Sequence, residues 1–294
     1  MNGFLVIDKP SGMTSHDVVA KVRKRLGTKR VGHAGTLDPM ATGVLVVGVG
    51  NATKLLQYIV DGTKSYEGTI ALGASTHTDD KEGDLTFTAD PTKLSLITDD
   101  QIREKINSFV GTIMQKPSAV SAIKIDGKAA HQRVRDGEVV DLPARETTIS
   151  KIDIHSIEHT VGAILVAVTV DCSAGTYIRA IARDLGDLLE VGGHLTSLRR
   201  TLVSPFSLRE SGDIESIERA DLIDTAIGIA RVLPTRDLDF EEMTEISFGR
   251  SVTANPANGI YAALSPTNTF AALLENKDLG GKVAATPKLV AVQE

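Results

Sequence analysis

Asp38 is the residue of this sequence best placed for covalent chemistry. It is the one carboxylate in Gly32-His33-Ala34-Gly35-Thr36-Leu37-Asp38-Pro39-Met40-Ala41-Thr42-Gly43, where three glycines and a proline pre-shape a tight loop. Residues 44–49 follow at once and read as a buried strand, which anchors the loop to the core. A rigid loop against a core strand can hold a single acid in one orientation, as a nucleophile requires. The same setting suits a turn former, since aspartate before proline commonly closes a turn. Residue type and setting alone favour the turn.

Two other places could supply chemistry. Tyr177 and Arg179 open a predicted helix after Ser173-Ala174-Gly175-Thr176. A helix N-terminus is already positive, so an arginine there makes most sense if it meets a carboxylate or a phosphate. Tyr66 begins an alternating stretch and reads equally well as an ordinary half-buried strand aromatic. Cofactor signatures are missing: Gly48-Val49-Gly50 lacks the third glycine of a dinucleotide loop, and no Walker lysine motif occurs. His155 and His159 fall in a predicted strand, where their spacing does not converge on a metal. The Asp80/Glu82/Asp84 alternation lacks the glycine and terminal glutamate of a calcium loop and reads as a solvated loop.

The elements that must position these residues are marked by local signals. Thr14 and Asp17 form a capping-box pattern for a helix through Leu26, with Val18, Val22 and Leu26 on its buried side and Gly27 as its stop. A short helix is expected near 52–59 and a strand over 66–72. Residues 76–97 read as an exposed insertion. Thr98 and Gln101 open a second capped helix with Ile102, Ile106 and Phe109 on one side, closed by Gly111. Residues 114–127 read as extended and turn-like, and 128–136 as a basic helix. Strands follow near 147–157 and 163–171. The helix over 176–189 turns Ile178, Ile181, Leu185 and Leu188 inward. Strands and helices alternate without a regular βαβ repeat, which predicts an α+β fold with a mixed, largely antiparallel sheet flanked by helices. After about Arg231 short strand-like pieces are split by Asn-Pro, Ser-Pro and Gly-Gly. The expected division is 1–231 for the main domain and 232–294 for a small all-β domain.

The chain has 294 residues, 41% hydrophobic and 24% charged, ordinary for a globular protein. Its one cysteine, Cys172, excludes an intrachain disulfide and fits a reducing, cytoplasmic setting. The sequence contains no apolar run long enough for a bilayer span, and Asp8-Lys9-Pro10 interrupts any signal-peptide pattern. Net charge is −6, yet residues 1–60 carry eight Lys/Arg against three Asp/Glu, while residues 203–294 carry eight against fourteen. A basic segment on an acidic body can bind phosphates locally. Arg23-Lys24-Arg25 and Lys29-Arg30 also read simply as a solvated helix face and its exit.

In combination these blocks resemble the TruB-type tRNA pseudouridine synthases. The resemblance is carried by Asp8-Lys9-Pro10-Ser11-Gly12-Met13-Thr14-Ser15, the loop Val31 to Gly43, Gly50-Asn51-Ala52-Thr53-Lys54 and Lys64-Ser65-Tyr66. Gln115 to Lys124 and Cys172 to Arg179 continue it in the family's order. It spans residues 3–205, about two-thirds of the chain, and implies a pseudouridine synthase fold with a PUA-like C-terminal domain. The implied activity is isomerisation of uridine 55 in the tRNA T stem-loop, with the base flipped out of its stack. Asp38 matches the essential aspartate, Arg179 its partner and Tyr66 the active-site tyrosine that stacks on the base. Tyr177 is implied to line the pocket and His33 to contact the T loop. Lys9, Gly35, Thr36 and Lys124 are further implied substrate contacts, and the early basic cluster with Lys128, Arg133 and Arg135 is implied to meet phosphates. No redox step or group transfer occurs, so no cofactor and no metal are expected, and neither is an obligate protein partner; the expected state is a monomer. A hydrolase with an Asp nucleophile would want a second carboxylate, and the loop offers none. Ser118, Val120 and His131 depart from residues common in the family, at positions that bear on RNA contact or packing.

Overall fold

The computed structural model describes all residues except 122, 123, 126, 137, 139, 257, 258 and 292–294, and all other side chains except those of 124, 125, 128, 129, 131 and 135. The chain begins β1 (Gly3–Lys9), α1 (Ser15–Leu26), β2 (Val31–His33), β3 (Thr42–Val49), α2 (Leu56–Val60) and β4 (Lys64–Leu72). It continues β5 (Ala74–Thr76), β6 (Leu85–Thr88), α3 (Pro91–Ser95), α4 (Asp99–Asn107), β7 (Gly111–Gln115), β8 (Lys124–Ile125), β9 (Lys128–Ala129) and α5 (Ala130–Arg135). Next come β10 (Arg145–Thr160), β11 (Ala163–Cys172), α6 (Ile178–Leu188), β12 (Gly193–Val203), β13 (Phe206–Ser207), β14 (Gly212–Asp213) and α7 (Thr225–Ala230). The last elements are β15 (Thr235–Asp237), α8 (Phe240–Ser247), β16 (Val252–Thr253), β17 (Ile260–Leu264), β18 (Phe270–Asp278) and β19 (Val283–Val290).

The main sheet has the order β14-β1-β3-β12-β4-β11-β10-β7, with β2 added on β3 and β13 on β12. Within it, among the described residues, only β1/β14 and β12/β3 pair in parallel; the mixed, mostly antiparallel expectation holds. β11 forms where a strand was expected and alternates in burial, with Ile164, Val166, Val168, Val170 and Cys172 buried. These residues meet Ile181 and Leu185 of α6 and Ile102 and Ile106 of α4 in one core cluster. α1 covers the other end of the sheet through Val18, Val22 and Leu26 against Leu5, Ile7, Leu45 and Val47. Both predicted capping boxes form, at Thr14/Asp17 and Thr98/Gln101, and Gly27 ends α1 in the left-handed conformation. A second sheet, β15-β17-β18-β19-β16, follows. Its Ala262 and Leu273 share a cluster with Phe4, Val6 and Ile229, so the two sheets join through common apolar packing.

Three expectations are corrected. α6 begins at Ile178 and Leu188 is exposed, because after Ile181 and Leu185 the buried stripe continues four residues on, at Leu189. Residues 76–97 are not simply an exposed insertion: β5 and β6 form a hairpin, and Thr76, Asp80, Ala89 and Leu94 are buried. The basic helix expected over 128–136 is confined to α5, preceded by the β8/β9 pairing.

Candidate active site

The loop before β3 is pinned from several sides. Ser15 exchanges hydrogen bonds with Leu37, its hydroxyl donating to the carbonyl at 3.2 Å and accepting from the amide at 2.9 Å. The Pro39 carbonyl accepts from the Gly12 amide at 2.8 Å and from Lys9 Nζ at 3.3 Å. At its end, Gly43 has φ +100°, and a Cβ there would stand 2.2 Å from the Arg200 carbonyl oxygen. Only glycine allows that approach between β3 and β12. Asp38 also makes the turn expected of it, its carbonyl accepting from the Ala41 amide at 3.1 Å.

The Asp38 carboxylate is engaged elsewhere. Arg179 Nε lies 2.9 Å from Oδ2 and Nη2 donates to Oδ1 at 3.2 Å, a two-point grip that fixes the carboxylate plane. The Arg179 side chain is 5% exposed and that of Asp38 34%, so the arginine is the buried support and the aspartate the presented group. Arg179 is itself held by the carbonyls of Thr78 at 2.6 Å and Val120 at 2.9 Å, and by Asp80 Oδ2 at 3.5 Å. The unusual arginine at the start of α6 thus has two carboxylates to meet. One turn later Arg183 contacts Asp79 at 3.2 Å and the Lys116 carbonyl at 2.8 Å. The peptide of Tyr177 is clamped by Gln115, whose Oε1 accepts from the Tyr177 amide at 2.8 Å and whose Nε2 donates to its carbonyl at 3.0 Å.

Asp38, Tyr66, Tyr177, Arg179, Gly35 and Thr36 line one cavity of about 260 Å³. That is near the lower end of ligand pockets, roughly 300–1,000 Å³, a size for one small planar group. Tyr66 forms part of its wall from β4. Burial pushes its phenol above the ordinary value, while Arg200 beside it works in the opposite direction. Burial also raises the Tyr177 phenol, opposed by a hydrogen bond with Ser121. Both rings therefore present neutral phenols at physiological pH.

Arg200, Lys64 and Asp80 also belong to this site, although none of them was assigned a role in it from sequence. Arg200 is fully buried; its Nε donates to the Val44 carbonyl at 2.8 Å and its Nη2 to the Gly35 carbonyl at 3.1 Å. It joins the loop, β3 and Tyr66. Lys64 donates to the carbonyls of Val60 at 2.6 Å and Gly62 at 2.8 Å, and burial, then Arg200, lowers its pKa to about 8. Asp80, read as part of a solvated loop, is buried against Arg179 because its acidic run folds back over α6.

Other implied contacts lie elsewhere. Lys9 is fully buried and donates to the carbonyls of Pro10 at 2.9 Å, Met13 at 2.6 Å and Pro39 at 3.3 Å. It fastens the loop from behind, and with its ammonium committed to those carbonyls it is not presented to a substrate. His33 stands on β2 outside the cavity, edge-on to His16 with ring centroids 5.6 Å apart. Burial, then His16, lowers its pKa. Lys124 lies on β8, and its side chain falls outside the described ones, as do those of Lys128 and Arg135. His155 meets the Thr169 hydroxyl and His159 meets Asp99.

Comparison with known proteins identifies the family of the chain. The N-terminal domain of the TruB family pseudouridylate synthases matches residues 23–178. The tRNA pseudouridylate synthase B C-terminal domain matches 179–228, and the C-terminal domain of tRNA pseudouridine synthase II matches 233–285. The tRNA pseudouridine synthase B of Corynebacterium diphtheriae is 49% identical over 97% of this chain and 95% of its own. That of Corynebacterium efficiens is 50% identical over the same shares, and that of Paenarthrobacter aurescens 47% over 97% and 92%. Among solved structures, an H/ACA ribonucleoprotein bound to a substrate RNA containing 2′-deoxyuridine contains a chain of the same fold. Its TM-score is 0.72 at 21% identity, covering 99% of this chain and 85% of that one. A Cbf5-Nop10-Gar1 complex gives 0.70 at 24%, covering 98% and 84%. Through its matched domains and its near-full-length relatives, this chain belongs to the TruB family of pseudouridylate synthases.

Proposed function

We propose that this protein isomerises the T-loop uridine at position 55 of tRNA to pseudouridine, with Asp38 as nucleophile. The observation that carries the reading is the Asp38 carboxylate, gripped at two points by a buried Arg179 and presented into a cavity walled by two tyrosines. A uracil inside a folded T loop cannot reach such a cavity, so the nucleotide is flipped out, at a cost of a few kcal/mol that stacking and phosphate contacts offset. Asp38 attacks C6 of the base or C1′ of the ribose as the bond between N1 and C1′ breaks. The base turns, C5 bonds to C1′, the bond to Asp38 breaks with its electron pair returning to the carboxylate, and the proton lost from C5 is balanced by one gained at N1. The reaction needs no oxidant and no second substrate. Arg179 fixes the attacking oxygen. Tyr66 supplies the stacking face, and its phenol, held beside Arg200 in the cavity wall, helps move the C5 proton.

The test is mapping of pseudouridine on unmodified tRNA incubated with purified protein and no added cofactor. The unaltered protein should modify position 55 alone, and Asp38→Asn should bind tRNA and form no product. Normal product from Asp38→Asn, or free uracil from the unaltered protein, would overturn the reading.

A further inference from the structure

One side of the cavity that holds Asp38 is a continuous piece of chain, residues 174–179. It runs from the turn after β11 into the first turn of α6 and carries both Tyr177 and Arg179. α6 has no side-chain cap of its own. Serine, threonine, aspartate or asparagine ordinarily stands at the cap and accepts from the first-turn amides. Here the cap residue is Tyr177, whose side chain makes no such bond and whose ring belongs to the cavity wall. Support comes instead from another element. Gln115, the last residue of β7, is 3% exposed and lies outside the cavity lining. Its Oε1 accepts from the Tyr177 amide at 2.8 Å and its Nε2 donates to the Tyr177 carbonyl at 3.0 Å.

An amide end group accepts and donates in one plane, so Gln115 pairs with Tyr177 as a neighbouring strand would. The pairing holds both backbone angles of Tyr177, φ −103° and ψ 105°, and so the direction in which the chain enters α6. Arg179 follows two residues later. The segment that continues from Gln115 is tied to the same helix. The Lys116 carbonyl accepts from Arg183 at 2.8 Å, the Val120 carbonyl accepts from Arg179 at 2.9 Å, and Ser121 bonds with the Tyr177 phenol. A residue that served only to fill this space would be apolar, because a buried amide offsets its lost hydration only through its bonds.

We propose that Gln115 is a positioning residue: by fixing the backbone of Tyr177 it aims Arg179 at both oxygens of Asp38, while touching neither Asp38 nor the substrate. The proposal rests on the catalytic reading above and deepens it. Ser15, Lys9 and Gly43 hold the carboxylate from the loop side, and Gln115 holds its arginine from the helix side. A shift of the order of 1 Å at a reacting group costs about 100-fold in rate, so an anchor remote from the chemistry has a measurable effect on it.

The test uses Gln115→Met, which nearly keeps the volume and removes both bonds. Single-turnover formation of pseudouridine on unmodified tRNA should slow by about 10- to 100-fold, with tRNA affinity within about twofold. A second readout needs no turnover: solvent exchange of the arginine Nε–H groups followed by NMR, assigned by replacing Arg179 or Arg200 with lysine. Arg200 lines the same cavity but is held from β12, its Nε donating to the Val44 carbonyl at 2.8 Å, and so serves as the internal control. In Gln115→Met the Arg179 Nε–H should exchange about tenfold faster and that of Arg200 should not change. An unchanged single-turnover rate would overturn the proposal, and so would equal quickening of both arginines, the mark of general loosening. If the unaltered protein binds tRNA and forms no pseudouridine, the catalytic reading falls and the exchange comparison alone decides whether Gln115 holds Arg179. Should Gln115→Met fail to fold, Gln115→Glu keeps the acceptor for the Tyr177 amide and is read in the same way.

Discussion

Asp80→Asn is the sharpest probe of how the site is built. Asp80 touches neither the cavity nor solvent: its side chain, like that of Arg179, is 5% exposed. Its Oδ2 lies 3.5 Å from Arg179 Nη1, while Oδ1 accepts from the Thr78 hydroxyl at 2.5 Å and the Glu82 amide at 3.0 Å. Asparagine keeps the volume and can keep the bonds to Oδ1, so the change removes mainly the charge facing Arg179. At an effective dielectric of about 20, a pair 3.5 Å apart attracts by about 5 kcal/mol. The cost of burying the ions offsets much of this, and Arg179 keeps Asp38 as a counter-charge. A residual orientation penalty of about 1.4–2.8 kcal/mol at the Asp38 carboxylate corresponds to a 10- to 100-fold slower chemical step. The assay is single-turnover formation of pseudouridine on unmodified tRNA, with tRNA affinity measured in parallel. The expected result is a slower step with affinity within about twofold, since a buried residue has no RNA to contact. An unchanged rate, or a loss carried wholly by weaker binding, would refute the claim that Asp80 positions Arg179.

Gly43→Ala places a Cβ 2.2 Å from the Arg200 carbonyl at a φ of +100°, and should lower stability by about 2–5 kcal/mol in urea denaturation. An unmoved midpoint would show that β3 and β12 can separate cheaply. Burial pushes the Cys172 thiol up to about 11, so the folded protein should resist iodoacetamide at pH 8.5 while the unfolded chain labels readily. The linked stability is present below the unfolded value of about 8.5 and is lost as pH rises toward 11; prompt labelling of folded protein would contradict it. Ending the chain after Arg231 removes the strands whose Ala262 and Leu273 pack with Phe4 and Ile229. Each large apolar side chain uncovered costs about 1.5–3 kcal/mol, so Tm should fall by about 10 °C or more, and an unchanged Tm would mean that the shared packing contributes little.

What the sequence made legible was local. The capping boxes at Thr14 and Thr98, the Gly27 stop and the strand over 163–171 each depend on neighbours a few residues away, and each forms as expected. Arg179 was legible for a related reason: a cation at a positive helix end is a local conflict, and a conflict signals a partner. Asp80 was hidden because its acidic run has the composition of a solvated loop, and only the return of that loop over α6 gives it a buried cation. Lys9 was named as a substrate contact on the resemblance alone, and only the fold brings three backbone carbonyls onto its ammonium.

Arg200 marks the limit most clearly. Alternation along β12 would assign Arg199 and Arg200 to opposite faces and so flag one of them as inward. Yet the pairing of β12 with β4 shifts register between Leu195 and Ser197, and again between Arg200 and Leu202, so a face counted from either end of the strand is unreliable. Those irregularities accompany Arg200 bringing its guanidinium to Val44, Gly35 and Tyr66 together. Asp38 shows the converse. Its two readings competed only while the residue was treated as one group: the backbone carbonyl closes the turn to Ala41, and the carboxylate is left for Arg179. The turn is therefore the means of presentation, and on the proposed function Pro39 serves the chemistry by holding the backbone that aims the acid.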